Sequence, residues 1–183
     1  MTVDVSGADR GLLPRGPDSS VGARARAAAA SVLDPELPVL TIDDLGVLRG
    51  VDVADDGRVT VTVTPTYSGC PAMEVIERDV EAAVRRAGFD EVAVRRVLSP
   101  AWTTDWLSAE GRAKLEEYGI APPGAAGPAG RPVSGPVALT LSVRCPQCGS
   151  HDTVETSRFG STACKSLWRC RACREPFDHM KAI

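Results

Sequence analysis

The chain has 183 residues, a net charge of −3 and 43% hydrophobic residues, which is typical of a globular protein with one ordinary domain and a small appendage. No apolar run approaches the roughly 18 residues needed to cross a membrane, and the first twenty residues lack the apolar core of a signal peptide. We therefore expect a cytoplasmic protein that does not enter membranes. The net negative charge also disfavours a chain that binds nucleic acid over its whole surface.

The first third of the chain predicts a tail, a helix and a loop. Residues 1–18 are rich in Gly, Pro, Ser and charge, and we expect them to be disordered. The alanine-rich run from Ser19 predicts a helix that ends ahead of Asp34, because a residue that precedes proline disfavours helix. Residues 34–46 contain two prolines, four acids and a closing glycine, and they predict an ordered loop.

Alternating apolar residues then predict strands on either side of a helix. Residues 47–54 and 58–66 flank an Asp-Asp-Gly turn, which predicts a β-hairpin. Apolar residues recur at three- and four-residue spacing over 71–88, which predicts an amphipathic helix, and 91–99 alternate again as a third strand. Ser108 predicts the cap of a short polar helix. Residues 19–120 thus predict an α+β fold, a small α/β sandwich with helices over one face of a sheet.

The C-terminal part has a different composition. Residues 121–137 are rich in Pro and Gly and predict a linker, after which residues 138–183 form a cysteine-rich module with a charge balance of about +3. Trp102 and Trp106, ahead of the linker, are candidate core anchors or partner-binding residues, and we favour the core. The basic module has an alternative interpretation as a nucleic-acid-binding ribbon, for which Arg169 and its basic neighbours would be responsible.

Two C-x-x-C pairs separated by 21 residues predict a metal site. Four thiolates from two tight turns can close a tetrahedral Zn²⁺ site without an open position, so such a site is structural. The zinc would supply most of the folding free energy of so short a module, which we expect to be a zinc ribbon. A bound iron is the alternative. The four predicted ligands are Cys145, Cys148, Cys170 and Cys173.

The module contains three further residues that could bind metal. His151 and His179 are close in sequence to the cysteine pairs, but four thiolates already fill a site, so we expect both to be surface or packing residues. Cys164 is the odd thiol. It is either a small buried side chain of the ribbon loop, which we favour, or a redox or metal-donating thiol near the closed site.

Cys70 is the lone cysteine of the first domain. It directly precedes Pro71 at the predicted start of a helix, where unpaired N–H groups and the helix dipole should lower the pKa of its thiol. The residue could be a nucleophile, a labile ligand for iron or a cluster, or an inert loop cysteine. Both histidines lie in the ribbon, so no base is evident for a nucleophile. Nearby acids such as Asp34 and Glu36 could add oxygen ligands.

Several long blocks carry a family resemblance. They are DPELPVLTIDDLGVLRGV, TPTYSGCPAMEVIERDV, VLSPAWTTDWLSAEGRAKLEEYGIAPP, and the C-terminal CPQCGS and FGSTACKSLWRCRACREPFDHMKAI. Together they resemble the PaaD (PaaJ) subunits of the phenylacetyl-CoA epoxidase system, which is also called phenylacetate-CoA oxygenase. The first domain by itself is similar to SufT-like iron–sulfur assembly proteins, whose DPE segment and GCP-type loop correspond here to Asp34–Glu36 and Gly69–Pro71.

The resemblance implies an accessory role in aerobic phenylacetate degradation. The system epoxidises the aromatic ring of phenylacetyl-CoA with O₂ and NADPH, and its di-iron oxygenase and iron–sulfur flavin reductase are other chains. The family's reactive cysteine corresponds to Cys70, which would transiently hold iron or a cluster. The sequence lacks Glu-x-x-His pairs, a dinucleotide-binding glycine motif and ferredoxin cysteine spacing. We therefore expect a non-catalytic component, either a maturation factor for these partners or an integral structural subunit of the oxygenase.

Overall fold

The computed structural model describes residues 19–124 and 143–182. The predicted tail and most of the predicted linker, residues 125–137, lie outside the described residues. The elements of the first part are helix α1 (Ser19–Ala30), strands β1 (Leu48–Val53) and β2 (Val59–Val63), helix α2 (Met73–Arg86), strand β3 (Val92–Arg96) and helix α3 (Ala109–Glu117). The second part adds strands β4 (Ile120–Ala121), β5 (Thr153–Ser157), β6 (Lys165–Cys170) and β7 (Pro176–Met180).

The first sheet has three strands in the order β1-β2-β3. Strand β1 runs antiparallel to β2, and the turn between them contains Gly57 at φ +84°, as the Asp-Gly hairpin signal predicts. Strand β3 lies parallel to β2, so the chain crosses over through α2. The predicted order α-β-β-α-β-α is confirmed.

The core of the first domain lies between the sheet and its helices. Helices α1 and α2 contact each other, α1 contacts β1 and α2 contacts β3, so both helices cover the same face. The alternating valines of β2 are fully buried, and the helix face that the three- and four-residue spacing predicts is buried against them. These contacts confirm the α+β sandwich.

Asp44 fixes the loop between α1 and β1 to helix α3. Its carboxylate accepts hydrogen bonds from the backbone and hydroxyl of Thr41 at 3.0 and 2.9 Å and pairs with Lys114 at 2.9 Å. Ser108 caps α3 by accepting the N–H of Gly111 at 2.8 Å, which confirms the predicted cap. The loop that carries Asp34 and Glu36 is therefore held by the rest of the domain.

The two tryptophans ahead of α3 belong to this framework. Trp102 is 3% exposed and donates its Nε1–H to the carbonyl of Leu45 at 2.8 Å, so the core interpretation is confirmed for it. Trp106 is half-buried, and the guanidinium of Arg49 lies 3.5 Å from its ring centroid.

The second sheet joins the ribbon to the first domain. Its strand order is β4-β7-β6-β5, and β4, which directly follows α3, pairs in parallel with β7. Met180 at the end of β7 is 1% exposed and belongs to the hydrophobic core of the first domain together with Ile120. The ribbon is thus docked by backbone pairing and by a shared core. Within residues 19–124 and 143–182, no helix is both long and apolar enough to span a bilayer.

Candidate functional site

The four predicted cysteine ligands of the ribbon form one cluster. All four sulfur atoms lie within 4.8 Å of one another; Cys145 Sγ is 3.8 Å from Cys173 Sγ, and Cys148 Sγ is 3.6 Å from Cys170 Sγ. A tetrahedral ion with sulfur ligands at about 2.3 Å separates those sulfurs by about 3.8 Å. The donor set therefore fits a metal with four thiolate ligands and no open position.

The backbone of each C-x-x-C turn supports this geometry. The N–H of Gly149, at φ +75°, donates to the carbonyl of Cys145 at 2.9 Å, and the N–H of Cys173 points at Cys170 Sγ at 3.5 Å. That second contact is the largest of several influences that lower the pKa of Cys170 to about 7. Against the hydrogen bond from the N–H of Glu175, burial and the neighbouring thiols raise the pKa of Cys173 to about 12. Arg174 has φ +69° directly after the second turn, where the chain reverses toward β7.

The two histidines take no part in the cluster. His151 is exposed, whereas His179 is partly buried, with Nδ1 3.3 Å from Ser166 Oγ and its ring at 77° to the ring of Trp168. Burial lowers the pKa of His179 to about 4 and keeps the ring neutral. Both are surface or packing residues, as the sequence predicts.

Cys70 lies in the turn that leads into α2. Helix α2 begins at Met73 with Ala72 as its N-cap, so Cys70 is two residues ahead of the cap. The carbonyl of Tyr67 accepts the N–H of Cys70 at 3.1 Å, and the half-buried side chain packs against the core of the first domain. The sequence predicts this position to within two residues.

The predicted lowering of the pKa of Cys70 is wrong. Burial raises the pKa of the thiol, and the charges of Glu36, Asp34 and Cys164 raise it further. The N–H of Ala72 opposes this effect, as the helix-start argument requires, but it is the smaller influence. The thiol is therefore protonated at neutral pH.

Asp34 and Glu36 have different environments in the loop that faces Cys70. Asp34 is buried, and its Oδ1 accepts the N–H groups of Glu36 and Leu37, each at 2.8 Å, which fixes the turn. Glu36 is half-buried, and its Oε2 lies 3.8 Å from the sulfur of Cys164. Burial raises the pKa of both carboxyls, and Asp34 adds to the rise at Glu36. The loop with the two predicted acids and the turn with Cys70 lie at the same end of the antiparallel hairpin, because one precedes β1 and the other follows β2.

Cys164 is buried, in agreement with the favoured interpretation of a small buried side chain, and it is not one of the four clustered thiols. It contacts Glu36 of the first domain, 128 residues away in the chain, and its sulfur is also 3.0 Å from the hydroxyl of Thr162. The alternative of a redox or metal-donating thiol stays a prediction. Burial raises its pKa, and the charges of Glu36 and Asp34 act in the same direction.

Lys165 is a charged residue of this region that sequence reasoning misses. Its side chain is buried, and Nζ pairs with Asp178 Oδ2 at 3.4 Å. Its positive charge lowers the pKa of Asp34, Glu36 and Cys164 against the effect of burial. Its position directly after Cys164 could have identified Lys165 as a candidate, but the local sequence does not predict that this lysine is buried.

Comparisons with known families cover both parts of the chain. Residues 129–181 match the family described as the PaaD zinc beta ribbon domain, which confirms the predicted ribbon. Residues 23–97 match the family described as iron-sulfur cluster assembly protein.

Individual proteins show the same two relationships. The chain is 49% identical over 154 residues to an Escherichia coli K12 protein assigned to the 1,2-phenylacetyl-CoA epoxidase as one of its subunits, covering 84% of this chain and 88% of that protein. It is 41% identical over 86 residues to an Fe-S protein maturation auxiliary factor of Porphyromonas gingivalis, covering 46% of this chain and 81% of that protein. The crystal structure of a domain of unknown function, DUF59, from Bacillus anthracis matches at 26% identity and a TM-score of 0.49, covering 52% of this chain and 92% of that one.

The relationship to the Escherichia coli protein spans both domains, so neither domain match is an isolated resemblance. With an iron–sulfur assembly domain followed by a four-cysteine zinc beta ribbon, the chain belongs to the PaaD family.

Proposed function

We propose that this chain is an accessory subunit of a phenylacetyl-CoA epoxidase and that it assists the assembly or maintenance of iron or iron–sulfur centres. Its clients would be the oxygenase subunits, the iron–sulfur flavin reductase, or both. Two relationships support this role, one to the epoxidase subunit over most of the chain and one to iron–sulfur maturation factors over the first domain.

One observation carries the proposal. The loop with Asp34 and Glu36 precedes β1 and the turn with Cys70 follows β2, and the antiparallel pairing of Leu48 with Val63 places these two segments at the same end of the hairpin. The charges of both carboxylates add to the rise that burial causes in the pKa of Cys70. A thiol beside carboxylates, half-buried and still reachable, offers soft and hard ligands to an iron ion or to one iron of a cluster.

Iron cargo would enter and leave this site by ligand exchange. As iron binds, the thiol of Cys70 releases its proton to solvent, and on transfer to a client ligand the thiol recovers a proton. The iron need not change its oxidation state in either step. The weak acidity of the buried thiol favours release, because a proton competes with iron for the sulfur.

We further propose that the four-cysteine cluster holds a structural zinc ion. The sulfur spacings fit zinc, and the four thiolates leave no position for water or substrate. The ion would stabilise the ribbon, which in turn docks on the first domain through β4 and β7.

The test is reconstitution of the epoxidase from its purified chains with Cys70→Ser. We expect lower iron or cluster content in the client chains and a matching loss of epoxidation. Ser68→Ala is the matched control, because Ser68 is an exposed residue of the same loop. Full activity and full metal loading with Cys70→Ser would contradict the proposal.

Size-exclusion chromatography of the parent chain with the oxygenase subunits separates two forms of the role. A stable stoichiometric complex indicates an integral subunit, and weak or transient binding indicates a maturation factor.

A further inference from the structure

The loop between β5 and β6 presents an exposed aromatic side chain. Phe159 is 71% exposed, the highest value among the exposed large apolar side chains of residues 19–124 and 143–182. Leu167, which pairs with Ser157 across strands β5 and β6, is 37% exposed. Single apolar residues are common on protein surfaces, so the surroundings of Phe159 decide what its exposure means.

Hydrogen bonds fix the backbone of this loop. Ser157 Oγ donates to the carbonyl of Phe159 at 2.8 Å and accepts the N–H of the same residue at 3.2 Å. The ammonium group of Lys181 donates to the carbonyl of Arg158 at 3.2 Å and lies 5.0 Å from the centroid of the phenyl ring. The ring is therefore held in place before any contact forms, and a partner that covers it loses little conformational entropy.

The charges beside the ring are positive. Arg158 is exposed, and Lys181 lies over the ring. Asp178, the acid closest to Lys181 in sequence, pairs instead with Lys165 at 3.4 Å. Residues 143–182 contain seven Lys and Arg against four Asp and Glu. A partner that covers this loop must therefore complement positive charge, and carboxylates do so.

The loop also adjoins the part of the ribbon that contacts the first domain. The N–H of Gly160 donates to the carbonyl of Lys165 at 2.9 Å, which joins the Phe159 loop to the turn that carries Cys164. Cys164 Sγ lies 3.8 Å from Glu36 Oε2 in the first domain. A protein bound over Phe159 would therefore lie next to the acidic loop that carries Glu36.

We propose that Phe159, Arg158 and Lys181 form a docking surface for a client chain of the epoxidase, and that this client offers an apolar pocket with carboxylates at its rim. The inference rests on the proposed accessory role and names the surface through which the client is bound. The phenyl ring would fill the pocket, and the two cations would pair with the rim. Aromatic and arginine side chains are enriched among the residues that dominate binding energy at interfaces.

The experiment measures binding of the full, zinc-loaded chain to each purified oxygenase subunit and to the purified reductase by biolayer interferometry. The parent is compared with Phe159→Ala and Arg158→Ala at low and at moderate ionic strength. Tyr118→Ala is the matched control, because Tyr118 is also aromatic, is 59% exposed and lies at the end of α3. The unfolding midpoint and the self-association of every variant are measured alongside.

We expect the parent to bind at least one client. Phe159→Ala should weaken that binding by about 30-fold, the loss typical of a residue at the centre of an interface, mainly through faster dissociation. Arg158→Ala should slow association and make it less dependent on salt. Tyr118→Ala should bind as the parent does.

Four results would overturn the inference. Binding by Phe159→Ala equal to that of the parent, or no binding of the parent to any client, would remove the docking surface. An association rate that does not change with salt would remove the acidic partner. If Phe159→Ala lowers the unfolding midpoint of the chain alone, or abolishes self-association of the parent, the ring is covered by its own chain or by a second copy. Metal loading with Cys70→Ser tests the accessory role separately, so each proposal can fail without the other.

Discussion

The loop between α1 and β1, which carries Asp34 and Glu36, requires glycine at position 46. Gly46 has φ +68°, and a Cβ at this position would lie 2.6 Å from the carbonyl oxygen of Trp106. Backbone atoms cannot move aside cheaply, and the left-handed conformation adds its own cost for any residue with a side chain. The close approach of these two segments sets the path of the loop between α1 and β1.

Gly46→Ala should therefore destabilise the chain by about 2 kcal/mol or more, from conformational strain and the clash together. Urea unfolding followed by circular dichroism measures the change. Gly57→Ala is the control, because Gly57 also has positive φ but its Cβ would meet nothing within 4 Å. It should cost about 1 kcal/mol. Equal losses in the two variants would show that the contact with Trp106 is unimportant.

Among single residues, local sequence arguments succeed where the cause is local. Ser108 caps α3 and Gly57 turns the hairpin, because both effects depend only on neighbouring backbone. The argument for Cys70 includes the nearby helix start and gives the wrong direction for the pKa. Burial and two carboxylates from a loop more than 30 residues earlier decide it, and sequence spacing does not report their distance.

At the level of elements, the ribbon strands depend on the metal cluster. Strands β5 to β7 surround a small buried cluster that contains Cys145, Cys170, Trp168 and Phe177, which is little apolar area for an independent fold. We therefore expect the free energy of metal binding to contribute most of the stability of this part.

Removal of the metal with a chelator should abolish hydrogen-exchange protection in β5, β6 and the first residues of β7. The helical signal in circular dichroism should persist, because every helix of the described chain precedes residue 124. Cys170→Ser should reproduce the effect and reduce bound zinc to well below one per chain. His151→Ala is the control, since His151 is exposed and outside the cluster. Protection that survives chelation would show that the strands fold without metal.

The elements of the first domain are also where sequence reasoning is most reliable. Burial of one face of a strand or helix requires apolar residues at a regular spacing. This requirement explains the Val-Thr alternation of β2 and the spacing of Met73, Ile76 and Val80 in α2. Strand β4 is different. Its two residues lie at the start of a Pro- and Gly-rich stretch, and only their partners in β7, 58 residues later, make them part of a sheet.

For the whole molecule, the position of the ribbon depends on a shared core. Met180 is a ribbon residue by sequence, but it packs with Ile120 in the core of the first domain. The interface therefore couples the stability of the first domain to a strand of the second.

Met180→Ala should destabilise the first domain by about 2–5 kcal/mol, the range for truncation of a buried methionine, without reducing bound zinc. Urea unfolding followed by the helical circular dichroism signal measures it. Met180→Leu is the control and should cost less than about 1.5 kcal/mol, because it conserves volume. An unchanged midpoint in Met180→Ala would mean that the first domain is stable without the docked strand.

The contact between Glu36 and Cys164 is the part of the structure that sequence reasoning could not supply. The C-x-x-C spacing of the four ribbon cysteines predicts a shared metal site, whereas Cys164 belongs to no such pair. Its neighbour is determined by how the ribbon docks, and docking depends on Met180 and β4. The sequence therefore identifies Cys164 and leaves open which residue of the first domain it contacts.

The parallel pairing of β4 with β7 has a consequence for synthesis on the ribosome. Cys164 follows Ile120, a core residue at the end of the first domain, by 44 residues, and β7 is the last strand of the described chain. At about 5–20 residues per second, about 2–9 s separate the synthesis of these two residues. During this interval Glu36 lacks its contact with Cys164, which forms only when the ribbon docks through β4 and β7. A nascent chain thus passes through a form in which the side of the first domain at Glu36 is not yet in contact with the ribbon.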